Sequence, residues 1–182
     1  AGAPPPLLTE LRLVDPAGQV GEEPLARGEI CVRGQCVTRG YWNNPEATRA
    51  AIDAQGWFRT GDVGYFDAEG FWYVCDRVKD MVITGGENVY PAEVESVLYG
   101  HPAIAEVAVV GAPDEKWGEM VVAVVALKPG QALTLEQLQA FAGERLARYK
   151  LPRRLQVVDA LPRNPTGKIL KYRLREGMRE VG

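Results

Sequence analysis

Apolar and polar positions alternate over short stretches in the first part of the chain, then give way to longer apolar runs and helical stripes. Leu11-Arg12-Leu13-Val14 reads as a short strand that runs into Asp15-Pro16-Ala17-Gly18, a turn composition. Glu29-Ile30-Cys31-Val32-Arg33 alternates as a half-buried strand does. Phe71-Trp72-Tyr73-Val74 follows Asp67-Ala68-Glu69-Gly70, which suits a hairpin connection. Between these strands Asn44-Pro45-Glu46-Ala47-Thr48 opens a short helix, with Pro45 at the first helical position. This part is mainly β.

From about Asp80 the pattern changes. Pro91 begins a helix with Val94, Val97 and Leu98 on one face; Glu93 and Glu95 lie near its positive end, and Gly100 can end it. Val107 to Val110 and Val121 to Leu127 are continuous apolar runs of strand length. Thr134 and Gln137 have capping-box spacing, and Leu133 can staple onto Leu138. The stripe Leu135, Leu138, Ala142, Leu146 and Tyr149 predicts one helix with Arg145 and Arg148 at its negative end. Leu155 to Val158 predicts another strand, and a last helix is expected from about Ile169 to Arg175. The two compositions meet near Asp76 to Asp80, which divides the chain into residues 1–78 and 79–182. The expected class is α+β, with a β-rich first part and a small second domain whose central sheet is flanked by helices.

Composition narrows the function classes. A hydrophobic share of 46% and a charged share of 25% fit an ordinary globular protein. The net charge of -3 argues against nucleic-acid binding, which leaves a basic footprint. No apolar run has the length of a transmembrane helix, and the first residues do not form a secretory signal. Cys31, Cys36 and Cys75 lack metal-type spacing and sit far from His101, so reduced thiols and a cytoplasmic location are expected. The start, Ala1-Gly2-Ala3-Pro4-Pro5-Pro6, reads as the interior of something longer.

Four segments carry candidate chemistry. In Trp57-Phe58-Arg59-Thr60-Gly61-Asp62 a carboxylate follows a tight Thr-Gly turn, where it can accept hydrogen bonds from two vicinal hydroxyls. A turn aspartate satisfying local amides has the same sequence. Arg77, in Asp76-Arg77-Val78-Lys79-Asp80, can address a ribose or phosphate through its planar fork, or belong to a surface ion-pair cluster. Thr84-Gly85-Gly86-Glu87-Asn88-Val89-Tyr90-Pro91 is a glycine turn leading to a helix, and it lacks the spacing of a dinucleotide fingerprint. Arg163-Asn164-Pro165-Thr166-Gly167-Lys168-Ile169 is not a Walker A loop: Pro162 stands where the first glycine is needed, and Ile169 where the hydroxyl residue is needed. It presents Lys168 beside a turn, where a cation can stabilise charge developing on a carboxylate or phosphate. A solvated surface lysine has the same sequence.

Taken in this order, the four segments resemble the adenylate-forming superfamily of acyl-CoA synthetases, peptide-synthetase adenylation domains and luciferases. The resemblance extends from about Leu11 to Arg175. Gly85-Gly86-Glu87-Asn88-Val89-Tyr90-Pro91-Ala92-Glu93-Val94-Glu95 and Arg148-Tyr149-Lys150-Leu151-Pro152 look most like bacterial fatty-acyl-CoA ligases. The resemblance implies an AMP-forming acid–thiol ligase that uses ATP, CoA and Mg2+, with a carboxylic acid, expected to be a fatty acid, as substrate. By that likeness Asp62 and Arg77 bind ATP or AMP, Lys168 is the catalytic lysine of adenylation, and Lys79 is the hinge of domain alternation. Gly85, Gly86 and Trp117 line the pantetheine channel of CoA. Residues 1–78 become the end of the large AMP-binding domain, a distorted β-barrel subdomain, and residues 79–182 the mobile C-terminal domain.

The family's Ser/Thr/Gly-rich phosphate-binding loop is not among these 182 residues, nor is the motif whose glutamate helps hold magnesium. The magnesium ligands and the acyl pocket are therefore expected in an N-terminal domain outside the sequence, and the isolated chain is expected to be inactive. Two other readings fit the same residues: a stand-alone, non-catalytic module binding a nucleotide, CoA or a partner, and an adenylating enzyme that loads a carrier-protein phosphopantetheine.

Overall fold

The computed structural model describes Gly2 and residues 8–179, which fall into two compact units divided between Lys79 and Asp80. Strands β1 (Thr9–Val14), β2 (Val20–Gly21), β3 (Gly28–Gly34), β4 (Phe58–Phe66) and β5 (Trp72–Arg77) form the first unit's sheet. Its order is β2-β1-β3-β4-β5, antiparallel throughout. Among the described residues this sheet is open, where a distorted barrel was anticipated. Helix α1 (Pro45–Ala51) starts as expected, with the Asn44 side chain accepting from the Ala47 amide at 3.0 Å. The core here is small, and Trp57 is central to it. That ring is buried beside Val14 and Cys31, with the guanidinium of Arg12 at 4.2 Å and that of Arg33 at 4.6 Å from its centroid.

The second unit is built on a long hairpin of β8 (Ile104–Asp114) and β9 (Gly118–Leu127). Strands β6 (Val82–Thr84), β7 (Glu87–Val89) and β10 (Arg154–Val157) complete its sheet in the order β10-β9-β6-β7, with β8 paired to β9. The sheet is antiparallel except for the parallel β9–β10 pair. Successive strand residues face opposite sides. Val107, Val109, Val121, Ala123 and Val125 therefore pack on one face, and Ala108, Val110, Val122 and Val124 on the other. Helices α2 (Pro91–Tyr99) and α3 (Leu135–Gly143) contribute Val94, Leu98, Leu138 and Ala142 to the first face. Helix α4 (Lys171–Arg179) contributes Leu174 and Met178 to the second. Cover on both faces is why these strands read as unbroken apolar runs.

Two helices differ from the sequence pattern. The capping box at Thr134 is present, with both reciprocal bonds formed. However, α3 ends at Gly143, and the stripe continues through a turn into a separate 3-10 segment, Arg148–Lys150. Leu146 is still buried in the same cluster, so burial persists where the helix does not. The last helix begins at Lys171, because residues 163–169 are held in a hairpin. Glu93 and Glu95, expected to complement the helix end, make tertiary ion pairs with Lys150 (2.6 Å) and Lys171 (2.7 Å).

Candidate functional site

In the first unit the two candidate nucleotide ligands are cross-strand neighbours. Asp62 of β4 is in register with Arg77 of β5, and the two form an ion pair with Arg77 Nε 2.7 Å from Asp62 Oδ1. A bulge between Val63 and Gly64, just after Asp62 along β4, sets which residues meet. The pair lies open to solvent, with 56% of the Arg77 side chain and 31% of the Asp62 side chain exposed. The Thr60 hydroxyl donates to the Ile30 carbonyl at 2.7 Å and accepts from the Asp62 amide at 3.1 Å, tying the turn to β3.

Glu29 organises this turn, and the sequence pattern did not mark it. Its buried carboxylate accepts from Arg59 Nε at 2.9 Å and Nη2 at 2.7 Å through Oε2, and from the Gly61 amide at 3.1 Å through Oε1. The bond to Glu29 raises Arg59 above the usual guanidinium range. Glu29, Arg59, Thr60, Gly61, Arg77 and Lys79 help line an open pocket of about 610 Å3. Lys79 is exposed, in the 3-10 turn Val78–Asp80 where the two units divide. Asp80, its neighbour, is bound by Arg175 of α4 at 2.9 Å.

In the second unit Gly85 and Gly86 are the two central residues of the β6–β7 hairpin, between the paired Thr84 and Glu87. Their φ values of +60° and +85° are those of a tight hairpin turn in which both positions favour glycine. The Gly85 amide donates to the Trp117 carbonyl at 2.9 Å, and the Trp117 ring packs so closely on Gly85 that a methyl there would sit 2.8 Å from Cε3. Asp114 shapes the β8–β9 turn by accepting from the amides of Lys116 (3.0 Å) and Trp117 (2.9 Å). On the ring's other contacts, the Arg153 guanidinium lies 4.2 Å from its centroid. Trp117, Arg148, Tyr149 and Arg153 line an open groove of about 620 Å3. Its basic character is a second feature the motif reading missed; the arginines flanking Tyr149 and Pro152 are its sequence signal.

Lys168 is exposed on the hairpin of residues 163–169, where Arg163 pairs with Ile169. Asp62 and Arg77 are thus brought together, as are Gly85 and Trp117, while Lys168 stands on its own hairpin. Among the described residues no group of three or more His, Cys, Asp or Glu side chains is placed to hold a metal ion. No helix among them is long and apolar enough to cross a membrane.

Residues 93–168 match the AMP-binding enzyme C-terminal domain. The chain is 55% identical over 149 residues to the long-chain-fatty-acid–CoA ligase of Mycobacterium tuberculosis, covering 82% of this chain and 29% of that protein. It is 47% identical over 171 residues to the 2-succinylbenzoate–CoA ligase of Geobacillus sp., covering 94% of this chain and 34% of that protein. The solved structure of ATP-bound MatB from Rhodopseudomonas palustris superposes with a TM-score of 0.88 at 38% identity, over 98% of this chain and 35% of that one. The chain therefore spans about a third of the length of these relatives. Its α+β fold, its matched domain and these relatives together place it in the adenylate-forming superfamily, where it is similar over its length to about a third of an AMP-binding acyl-CoA ligase.

Proposed function

We propose that the chain is the C-terminal share of an AMP-forming fatty-acid–CoA ligase, and that it supplies part of the nucleotide site, the adenylation lysine and one wall of the CoA channel. The first reaction joins a carboxylate oxygen to the α-phosphorus of ATP and breaks the bond to the β-phosphate, releasing pyrophosphate. The second joins the CoA sulfur to the acyl carbon and breaks the acyl–AMP bond. The observation that carries the reading is the Asp62–Arg77 pair, joined at 2.7 Å on an open sheet edge. A carboxylate already oriented by a cation is suited to receive two ribose hydroxyls, and the guanidinium retains donors for oxygen atoms of the same nucleotide.

Lys168 acts in the first step, where its cation offsets charge as the carboxylate meets the triphosphate. Lys79 is the hinge about which residues from Asp80 onward are exchanged between the two reactions. Gly85 and Gly86 then offer bare backbone to the pantetheine arm beside Trp117. The Arg148 and Arg153 side chains in the neighbouring groove suit the phosphates that CoA carries. On this reading the magnesium ion and the acyl pocket belong to a part of the enzyme outside these residues. The fatty-acid assignment is supported by the mycobacterial relative, while other relatives are named for 2-succinylbenzoate and ferulate.

The test is ATP–pyrophosphate exchange by the complete enzyme with a panel of carboxylic acids, alongside the same assay on this chain alone. Fatty acids should support exchange by the complete enzyme, and the chain alone should give none. Lys168→Ala should abolish exchange yet leave thioester formation from a supplied acyl-adenylate. Exchange by the isolated chain, or full exchange by the Lys168 variant, would overturn the assignment.

A further inference from the structure

The turn that presents Lys168 is shaped from within. Asn164 Oδ1 accepts from the Thr166 amide at 3.1 Å, the Thr166 hydroxyl at 2.8 Å and the Lys168 amide at 2.8 Å. The Asn164 amide donates to the Lys168 carbonyl at 2.9 Å, and the Leu170 amide to the Pro162 carbonyl at 2.8 Å. These bonds fix the form of the hairpin but do not attach its tip to the domain. Ile169 packs the base of the hairpin against the apolar cluster of Ala108, Val110 and Leu161, and Arg163 adds the polar attachment. Its Nη1 donates to the Gly167 carbonyl at 2.6 Å, one residue before Lys168, and its Nη2 donates to Glu106 Oε1 at 2.6 Å. Glu106 belongs to β8 and is paired with Ala126 of β9, within the unit's central hairpin.

We infer that Arg163, held by Glu106, is a positioning residue for Lys168: it locks the lysine-bearing turn to the central sheet and so sets where the ammonium points during adenylation. The inference rests on the adenylation role proposed for Lys168. Arginine suits the task because its planar fork addresses two acceptors at once, one on the turn and one on the sheet. Lysine at the same place has a single ammonium for both. The ion pair is half exposed, at 41% for Arg163 and 35% for Glu106, so it adds little to the stability of the domain. Its effect is on geometry, and a displacement of about 1 Å at a catalytic group costs on the order of 100-fold in rate.

The two half-reactions separate positioning from general damage, because Lys168 serves only the first. In the complete enzyme, acyl-adenylate formation and thioester formation from supplied acyl-adenylate are measured for Arg163→Ala, Glu106→Ala, Glu106→Gln and Lys168→Ala. Arg163→Ala and Glu106→Ala are each expected to slow adenylation about 10- to 100-fold and to leave the thioester step within about twofold. Glu106→Gln, which keeps an oxygen acceptor for Arg163, should recover most of the loss. The double Arg163→Ala/Glu106→Ala variant should be no slower than Arg163→Ala alone. A parallel fall in both half-reactions overturns the inference in favour of a merely structural role. Unchanged adenylation in the Arg163 variant, with adenylation lost in Lys168→Ala, overturns it and leaves the lysine assignment standing. Full adenylation by Lys168→Ala overturns the lysine assignment and this inference with it.

Discussion

Gly85 and Gly86 share one left-handed turn, yet alanine at the two positions should have unequal effects. Strain from an L side chain there costs about 1–2 kcal/mol. Replacing glycine also removes freedom from the unfolded chain, which offsets about 0.4–1 kcal/mol. A methyl on Gly86 meets nothing within 4 Å, so these two effects are the whole of Gly86→Ala. They leave a net loss of about 0–1.5 kcal/mol. A methyl on Gly85 falls 2.8 Å from Trp117 Cε3 and 3.1 Å from Cζ3. Carbon atoms pack best near 3.5–4.0 Å, so the indole must retreat by roughly 0.7 Å or more. Its backbone is held by Asp114 and its ring lies against Arg153, which restrains that movement. Overpacking of this kind costs about 1–3 kcal/mol, and Gly85→Ala should be worse than Gly86→Ala by that amount.

Hydrogen exchange at the amides of Val121 to Val125, buried in the middle of β9, reports opening of the second unit and is the assay. The excess cost of Gly85→Ala should vanish in a Trp117→Ala background, because the atom it collides with is gone. Equal destabilisation by the two alanines, or an excess that survives Trp117→Ala, would refute the reasoning.

Glu29→Ala should destabilise the first unit by about 1–3 kcal/mol by leaving the Gly61 amide without its acceptor, with Arg59 already half in solvent. Amide exchange on β3 and β4 measures this, and protection equal to the parent would show that Glu29 is not the anchor of the Asp62 turn. Thr134→Ala should cost about 1 kcal/mol and Thr134→Ser much less, read from the urea midpoint of the second unit. His101 Nδ1 accepts from the Ala103 amide, and burial, then the Lys128 charge, hold its pKa below the ordinary 6.5. The unfolded chain thus takes up this proton more readily than the folded one. The resulting stability is present above pH 6.5 and is lost as pH falls through the lowered folded value. His101→Asn, which retains an acceptor, should flatten that part of the pH–stability curve; an unchanged slope would assign it to other groups.

How much of this was legible depended on whether a feature is local. The capping box at Thr134 and the start of α1 were, because each is settled by neighbours along the chain. The runs through β8 and β9 were legible because both faces are covered, leaving no alternation to misread. The β4 strand was read only as a turn motif, since Phe58-Arg59-Thr60-Gly61-Asp62 carries no apolar alternation. Its strand identity comes from pairing with β3 and β5. Glu29 shows the same limit more sharply. Along the chain it is an ordinary polar strand position, and it is buried because Arg59 and Gly61 arrive from β4 to satisfy it. In α3 the apolar stripe was correct about burial and wrong about helix length, because burial of Leu146 does not require helical φ and ψ.

The candidate groups share one construction. Each is fastened at a distance: Asp62, within β4, through Thr60 and Glu29, Gly85 on its hairpin turn through Trp117, and Lys168 on its hairpin through Asn164 and the Arg163–Glu106 pair. Such groups are ordered before any substrate arrives, which matters in the proposed two-step reaction. A residue that serves one step and is withdrawn for the next can draw on only part of the active site for its alignment. The ordering must then come from its own unit, since geometry assembled anew in each cycle would cost entropy at the moment of reaction. In the proposed reaction, preorganisation within the second unit would let one exchange of position replace the Lys168 turn with the Gly85-Gly86 turn without either having to refold.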